Sequence, residues 1–377
     1  MKFRKIGKTG ITTSVLGMGC MRLPVINGQS ESIDEEKAVE MIRYAIDHGV
    51  TYIDTAYNYH GGNSERLVGK ALQDGYRERV TLVTKSPSWL HKEPSDFEKH
   101  LDEQLEKLNV PYLDIYLLHA INKNYWENYK KIDIFNEIEK MKAKGKIKQI
   151  GFSFHDEFSL FEEIIKAYSW DVCMIQFNYM DVEEQAGLKG VELADSLGIP
   201  MIVMEPLKGG TLATPSEDII QLWNQSKREW SPVHWALQYV ANFENVKVVL
   251  SGMSTLEQIK DNLSIAESLE ANVLTDEDNS HIKAVREAYL NKVQIPCTDC
   301  KYCMPCPQGV EIPKVFSYYN RGHMYNSHES AKGMYKAFLK PEAQAAACVA
   351  CGACEPKCPQ HIEIIESLKV ASNYFSE

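Results

Sequence analysis

Between about residues 14 and 265 the chain alternates short apolar runs with longer amphipathic ones. Eight runs rich in β-branched residues, at 15–19, 51–55, 80–85, 113–119, 147–153, 172–177, 200–205 and 246–252, predict strands. Helical spacing lies between them, as at 35–48, 96–108, 132–144 and 183–197. Runs such as IYLL and VKVVL are apolar at nearly every position, which suits a parallel strand buried on both faces. Eight βα units predict an α/β fold, a (β/α)8 TIM barrel. The rival is a doubly wound sheet. Its phosphate turn needs a third glycine, which Gly17-Met18-Gly19-Cys20 lacks.

The opening segment FRKIGKTGITTS reads as a hairpin about Gly7–Gly10, placed to plug the barrel floor. Gly7-Lys8-Thr9 imitates the end of a phosphate loop, but Lys2 stands where that motif needs glycine. After residue 265 the alternation stops. One more helix is expected at 275–290, then a boundary near 291. The barrel domain is thus expected over 1–290 and a small, mainly helical domain over 291–377.

Composition narrows the class. Of 377 residues 44% are hydrophobic and 25% charged, which fits a packed globule rather than a disordered chain. A net charge of −11 argues against a nucleic-acid partner. No run approaches the roughly 18 apolar residues of a membrane span. The first ten residues carry no apolar stretch behind their basic ones, so no signal peptide is expected and the cytoplasm is the expected location. Eight of the ten cysteines fall between Cys297 and Cys358. In a reducing compartment such crowding points to metal rather than cystine. Cys20 and Cys173 read as ordinary barrel residues, with Cys20 near enough to the first strand end to face a pocket.

Four polar residues stand at or just past three consecutive strand ends: Asp54, Tyr59 in the loop behind it, Lys85 and His119. A barrel builds its active site on that rim. A phenol of pKa about 10 is a poor acid at neutral pH. A neighbouring ammonium lowers that value, and a carboxylate keeps the ammonium charged and oriented. An imidazole can hydrogen-bond the substrate oxygen or assist proton transfer. Singly, each has a plainer reading: a turn cap, rim packing, a solvated lysine, a core histidine. Their coincidence at strand ends favours function.

The segments TYIDTAYNYHGGNSERLVGKAL, VTLVTK, LDIYLLH, IKQIGFS, MIQFNY and VVLSGMSTLEQIKDN follow one another in the order of the aldo-keto reductase superfamily, which the chain resembles over about residues 3–265. The resemblance implies a catalytic tetrad of Asp54, Tyr59, Lys85 and His119 with Tyr59 as general acid, and direct use of a nicotinamide cofactor without metal or flavin. It implies carboxamide contacts from Ser153 and Gln176 and a stacking ring at Tyr179. Glu205, Pro206, Leu207, Gly209 and Gly210 would follow the pyrophosphate. Gly252, Gln258, Asp261 and Asn262 would line the adenosine end. Two positions depart from the pattern. Phe154 stands where the family often has Asn, and Ser251–Ser254 with Gln258 offers no cation to a 2′-phosphate, although Lys247 and Lys260 are near. NAD(H) is therefore expected at least as readily as NADP(H). Tyr57, Trp89, Tyr125, Trp126, Trp223 and Trp230 are candidate pocket walls for an apolar or aromatic carbonyl compound, or else loop packing.

Cys348-x2-Cys351-x2-Cys354-x3-Cys358-Pro359 is the bacterial ferredoxin run for a [4Fe–4S] cluster. The first group, Cys297, Cys300, Cys303 and Cys306-Pro307, is one residue short before its last cysteine. In such pairs the proline-linked cysteine reaches the other cluster. Two clusters are thus expected, one on Cys297, Cys300, Cys303 and Cys358, the other on Cys348, Cys351, Cys354 and Cys306. The helical insert between the groups resembles the α-helical ferredoxin type. Zinc held by sets of four cysteines is the alternative. The expected activity is NAD(P)H-dependent reduction of a small-molecule aldehyde or ketone. A second reading is an electron-transfer protein working with a redox partner; a third, a non-catalytic regulatory subunit, sits poorly with an intact tetrad.

Overall fold

The computed structural model describes residues 1–376. Ten strands lie at β1 Phe3–Lys5, β2 Thr12–Ser14, β3 Leu16–Gly19, β4 Tyr52–Asp54, β5 Thr81–Ser86, β6 Leu113–Ile121, β7 Ile147–Phe154, β8 Val172–Gln176, β9 Met201–Met204 and β10 Val246–Ser251. The helices are α1 Glu35–Asp47, α2 Ser64–Ala71, α3 Ser95–Leu108, α4 Lys123–Lys131, α5 Ile134–Ala143, α6 Phe158–Ala167, α7 Gly187–Ser196, α8 Glu217–Trp223, α9 Pro232–Ala241, α10 Leu256–Ala266, α11 Asp276–Leu290, α12 Ile312–Met324, α13 His328–Phe338 and α14 Ile364–Ser376. The chain forms two compact units. One holds Met1–Gly210 and Val233–Leu274; the other holds Thr211–Pro232 and everything from Thr275 on. Among the described residues no helix is long and apolar enough to cross a membrane.

In the first unit β3 to β10 close a parallel barrel in the order β10-β3-β4-β5-β6-β7-β8-β9. All eight strands fall on the predicted runs. Their inward residues form one interior cluster, among them Tyr52, Val83, Leu117, Met174, Ile202 and Val248. Successive side chains of a strand alternate between faces. The residues two places after Tyr52, Val83, Leu117 and Met174 therefore face the axis as well: Asp54, Lys85, His119 and Gln176. The barrel core thus ends in polar groups at its C-terminal rim.

The hairpin β1–β2 plugs the other end as expected. Ile6 is fully buried and joins the interior cluster, and Gly7, at φ +47°, leaves 2.7 Å between an ideal Cβ position and the Pro200 ring. The outer layer packs with equal closeness. Gly69 of α2 lies against α3, where a Cβ would come within 2.5 Å of the Leu108 carbonyl. Asp34 caps α1 through Lys37 N–H, and Thr275 with Asp278 forms a capping box for α11.

The second unit has a small apolar core around Val310, Val315, Phe316, Leu368 and Ala371, with Tyr335 stacked on Phe375 at 3.9 Å. The cysteines gather at this core.

Candidate active site and cysteine hollows

Lys85 is 1% exposed, and its ammonium meets three acceptors: Asp54 Oδ1 at 2.5 Å, the Thr55 carbonyl at 2.9 Å and Tyr59 Oη at 3.2 Å. An ammonium has three protons, so the set is complete. Tyr59 reaches it from a turn in which His60 and Gly61 adopt φ of +52° and +64°. His119 is buried and meets the Tyr59 ring edge-on at 6.1 Å. Sixty-five positions of sequence are brought to one rim, as the alternation requires.

The electrostatics follow from burial and pairing. Burial opposes charge on Lys85, but Asp54 and Tyr59 outweigh it and hold the lysine above its usual range. Burial pushes the Tyr59 phenol up against the pull of Lys85, so the free site holds its proton. Burial, and then Lys85 and His155, push His119 well below the ordinary histidine value, leaving a neutral imidazole.

The other named residues are placed less uniformly. Ser153 accepts a hydrogen bond from Ala120 N–H at 2.8 Å and so secures the turn after His119. Gln176 sits at the rim, donating to Asp181 at 2.9 Å and accepting from Gln185 at 3.1 Å. Glu205, Gly209 and Gly210 lie exposed in the loop after β9, while Pro206 is buried and Leu207 half-buried. Gly252, Gln258 and Asp261 are exposed too. Tyr179 is 1% exposed with its ring against Tyr239, and Asn262 is buried with its amide on Ser251. Those two are packing residues in this conformation rather than open contact surface. Of the aromatic candidates, Trp89 lies 5.4 Å from the His119 ring. Tyr57 instead bonds Glu103 of α3, and Trp126 is buried with its indole on Glu163. Trp223, buried against His281, and Trp230, beneath Arg228, belong to the second unit. For buried Trp126 and Trp223 the packing alternative holds, while Tyr57 and Trp230 are half-buried with a cation over one face of each ring.

Two residues escaped the sequence reading. Arg22 lays its stem 3.4 Å from an ideal Cβ on Gly252 and its guanidinium 3.3 Å from one on Gly209. It thus brings a cation to both glycine loops from 187 and 230 positions away. His155 follows Ser153 by two places and continues the inward row of β7, its N–H bonding the Ile121 carbonyl at 3.3 Å.

In the second unit Cys297, Cys300, Cys303 and Cys358 line one hollow, with Ile312, Phe316 and Ile364. Cys306, Cys348, Cys351 and Cys354 line another, with Ile312 and Leu368. The eight thiols are unpaired. Four thiols around an apolar hollow suit an iron–sulfur cluster in donor type and number.

Comparison with known proteins agrees with both parts. Residues 296–363 match the model of the 4Fe-4S dicluster domain. L-galactose dehydrogenase of Arabidopsis thaliana is 26% identical over 321 residues, covering 77% of this chain and 96% of the relative. NADH-specific methylglyoxal reductase of Escherichia coli K12 is 26% identical over 336 residues, covering 76% and 99%. The holo structure of aldo-keto reductase AKR11C1 from Bacillus halodurans matches with a TM-score of 0.64 at 25% identity, over 76% of this chain and 96% of that one. Residues 15–287 match the aldo/keto reductase family model, and with a parallel barrel whose inward row ends in Asp54, Lys85 and His119, the chain belongs to that family.

Proposed function

We propose that the barrel reduces an aldehyde or ketone to an alcohol with a reduced nicotinamide dinucleotide, through Tyr59, Lys85, Asp54 and His119. The observation that carries this is the buried Asp54–Lys85–Tyr59 row, with contacts of 2.5 and 3.2 Å. The nicotinamide, when bound, supplies the hydride. Tyr59 gives its proton to the carbonyl oxygen, and the phenolate left behind sits beside an ammonium that Asp54 keeps charged. Neutral His119 orients the carbonyl from the other side of the ring edge. Gly209, Gly210 and Gly252, with Arg22 beside them, would hold the dinucleotide's phosphates. The name of the NADH-specific relative supports NADH as the first cofactor to test. Tyr59→Phe tests the mechanism. It should cut kcat by about a hundredfold or more, the usual worth of a positioned acid, with cofactor affinity kept. Turnover retained by the variant overturns the mechanism.

The two cysteine sets of the second unit would each hold a [4Fe–4S] cluster, with the functional boundary near residue 291. Those hollows favour a second reading, in which electrons pass between nicotinamide, clusters and a redox partner. Bleaching of the cluster absorbance by NADH alone under anaerobic conditions supports it; no bleaching leaves the reductase reading by itself.

A further inference from the structure

A buried row of hydrogen bonds behind the rim is not explained by hydride transfer. Asp181 is 2% exposed. One of its oxygens pairs with Lys208; the other accepts from Asn178 at 2.8 Å and Gln176 at 2.9 Å. A carboxylate only accepts, so the Gln176 amide must turn its NH2 to Asp181 and its oxygen away. That oxygen accepts from Gln185 Nε2 at 3.1 Å, which turns the Gln185 oxygen outward in turn. Gln185 Oε1 then lies 3.2 Å from His155 Nδ1. An amide oxygen also only accepts, so Nδ1 must carry the proton. Gln185 holds this place at φ +54°, a left-handed conformation costly for a residue with a side chain.

The row fixes a tautomer. Crowding of the ring at the rim lowers the His155 pKa, with Glu205 opposing and Lys85 assisting, which favours the neutral form. With its proton on Nδ1, Nε2 is a bare acceptor. Among the described residues Nε2 has no hydrogen-bond partner, and the residue is exposed. His155 continues the inward row of β7 two places after Ser153, within the electrostatic reach of Lys85 and His119. Tyr59 offers its proton at this rim, while all three Lys85 protons are taken. His155 is thus an acceptor placed near a donor.

We propose that His155 is a substrate-binding residue whose Nε2, held as an acceptor by the Asp181–Gln176–Gln185 row, takes a hydrogen bond from a hydroxyl beside the reacting carbonyl, making α-hydroxy aldehydes and ketones the preferred substrate class. This rests on the reductase reading above. The shared chemistry, an N–H or O–H donor, is also present in the cofactor carboxamide, and the test separates the two sources.

The probes are glyceraldehyde and propionaldehyde, which share a three-carbon skeleton but differ in hydroxyls. In His155→Phe the ratio of kcat/KM for glyceraldehyde over propionaldehyde should fall about fivefold, as loss of one neutral hydrogen bond implies. Gln185→Leu, which frees the tautomer without altering the ring, should lower the ratio in the same direction. An unchanged ratio in His155→Phe overturns the proposal. So does an unchanged ratio with weakened NADH binding, which would assign Nε2 to the carboxamide. If the wild type turns over neither aldehyde, the reductase reading has failed, and a crystal structure of the holoprotein with NAD⁺ and glycerol decides the inference. A glycerol hydroxyl within about 3.2 Å of His155 Nε2 supports it; a carboxamide nitrogen there, or nothing, overturns it.

Discussion

At the scale of single residues, what was legible in the chain was what ends an apolar run. Asp54, Lys85 and His119 each lie within the last three residues of a strand, and alternation alone turns them inward. Arg22 and His155 were not legible, for different reasons. The contacts of Arg22 lie across the barrel seam, far away in sequence. The inward row of His155 begins with Gly151, whose missing side chain hides the alternation, since a Cβ there would lie 2.5 Å from Val172. His91 shows how burial behind the rim couples to pH. It is 3% exposed, bonded to Ser86 at 3.4 Å and stacked on His100, and burial first and His100 second hold it down to about 4. An unfolded histidine titrates near 6.5, so between 6.5 and 4 the unfolded chain binds the extra proton. Stability is therefore complete above 6.5 and falls as the pH drops through that window. Between pH 7 and 5 the loss from this residue is on the order of 2 kcal/mol. Urea midpoints followed by tryptophan fluorescence should drop over that range in the wild type and markedly less in His91→Phe.

At the scale of elements, the eight strands were readable because parallel strands buried on both faces leave almost no polar residue in the run. The aromatic candidates misled because a tryptophan near a strand end is as useful to helix packing as to a pocket. Trp126 chose Glu163 and the core. The α2–α3 contact was also hidden in sequence, since nothing marks Gly69 as a point of close approach. Placing a Cβ 2.5 Å from the Leu108 carbonyl forces backbone rather than side chain to move. Gly69→Ala should therefore destabilise the barrel by about 2 kcal/mol despite the better helix propensity of alanine. A rise in the urea midpoint would show that α2 can slide without cost.

At the scale of the whole molecule, a large unit stabilised by its apolar core is joined to a small one whose thiols surround two hollows. Metal held by those thiols would add its binding energy to folding of that unit. The hollows gather the eight cysteines in the same two sets that the spacing suggests, even though the first group is one residue short. Cys358→Ser should lower iron and acid-labile sulfide in anaerobically purified protein from about eight atoms per chain toward about four. Unchanged iron would remove Cys358 as a ligand. The crossing of Cys306 and Cys358 also bears on biogenesis. Neither hollow can be completed by its own motif, and the first lacks a wall until residue 358 has left the ribosome. Under the proposed ligand sets, loading of the first hollow waits for synthesis through residue 358, and the exchange of one cysteine in each direction couples the two loading events.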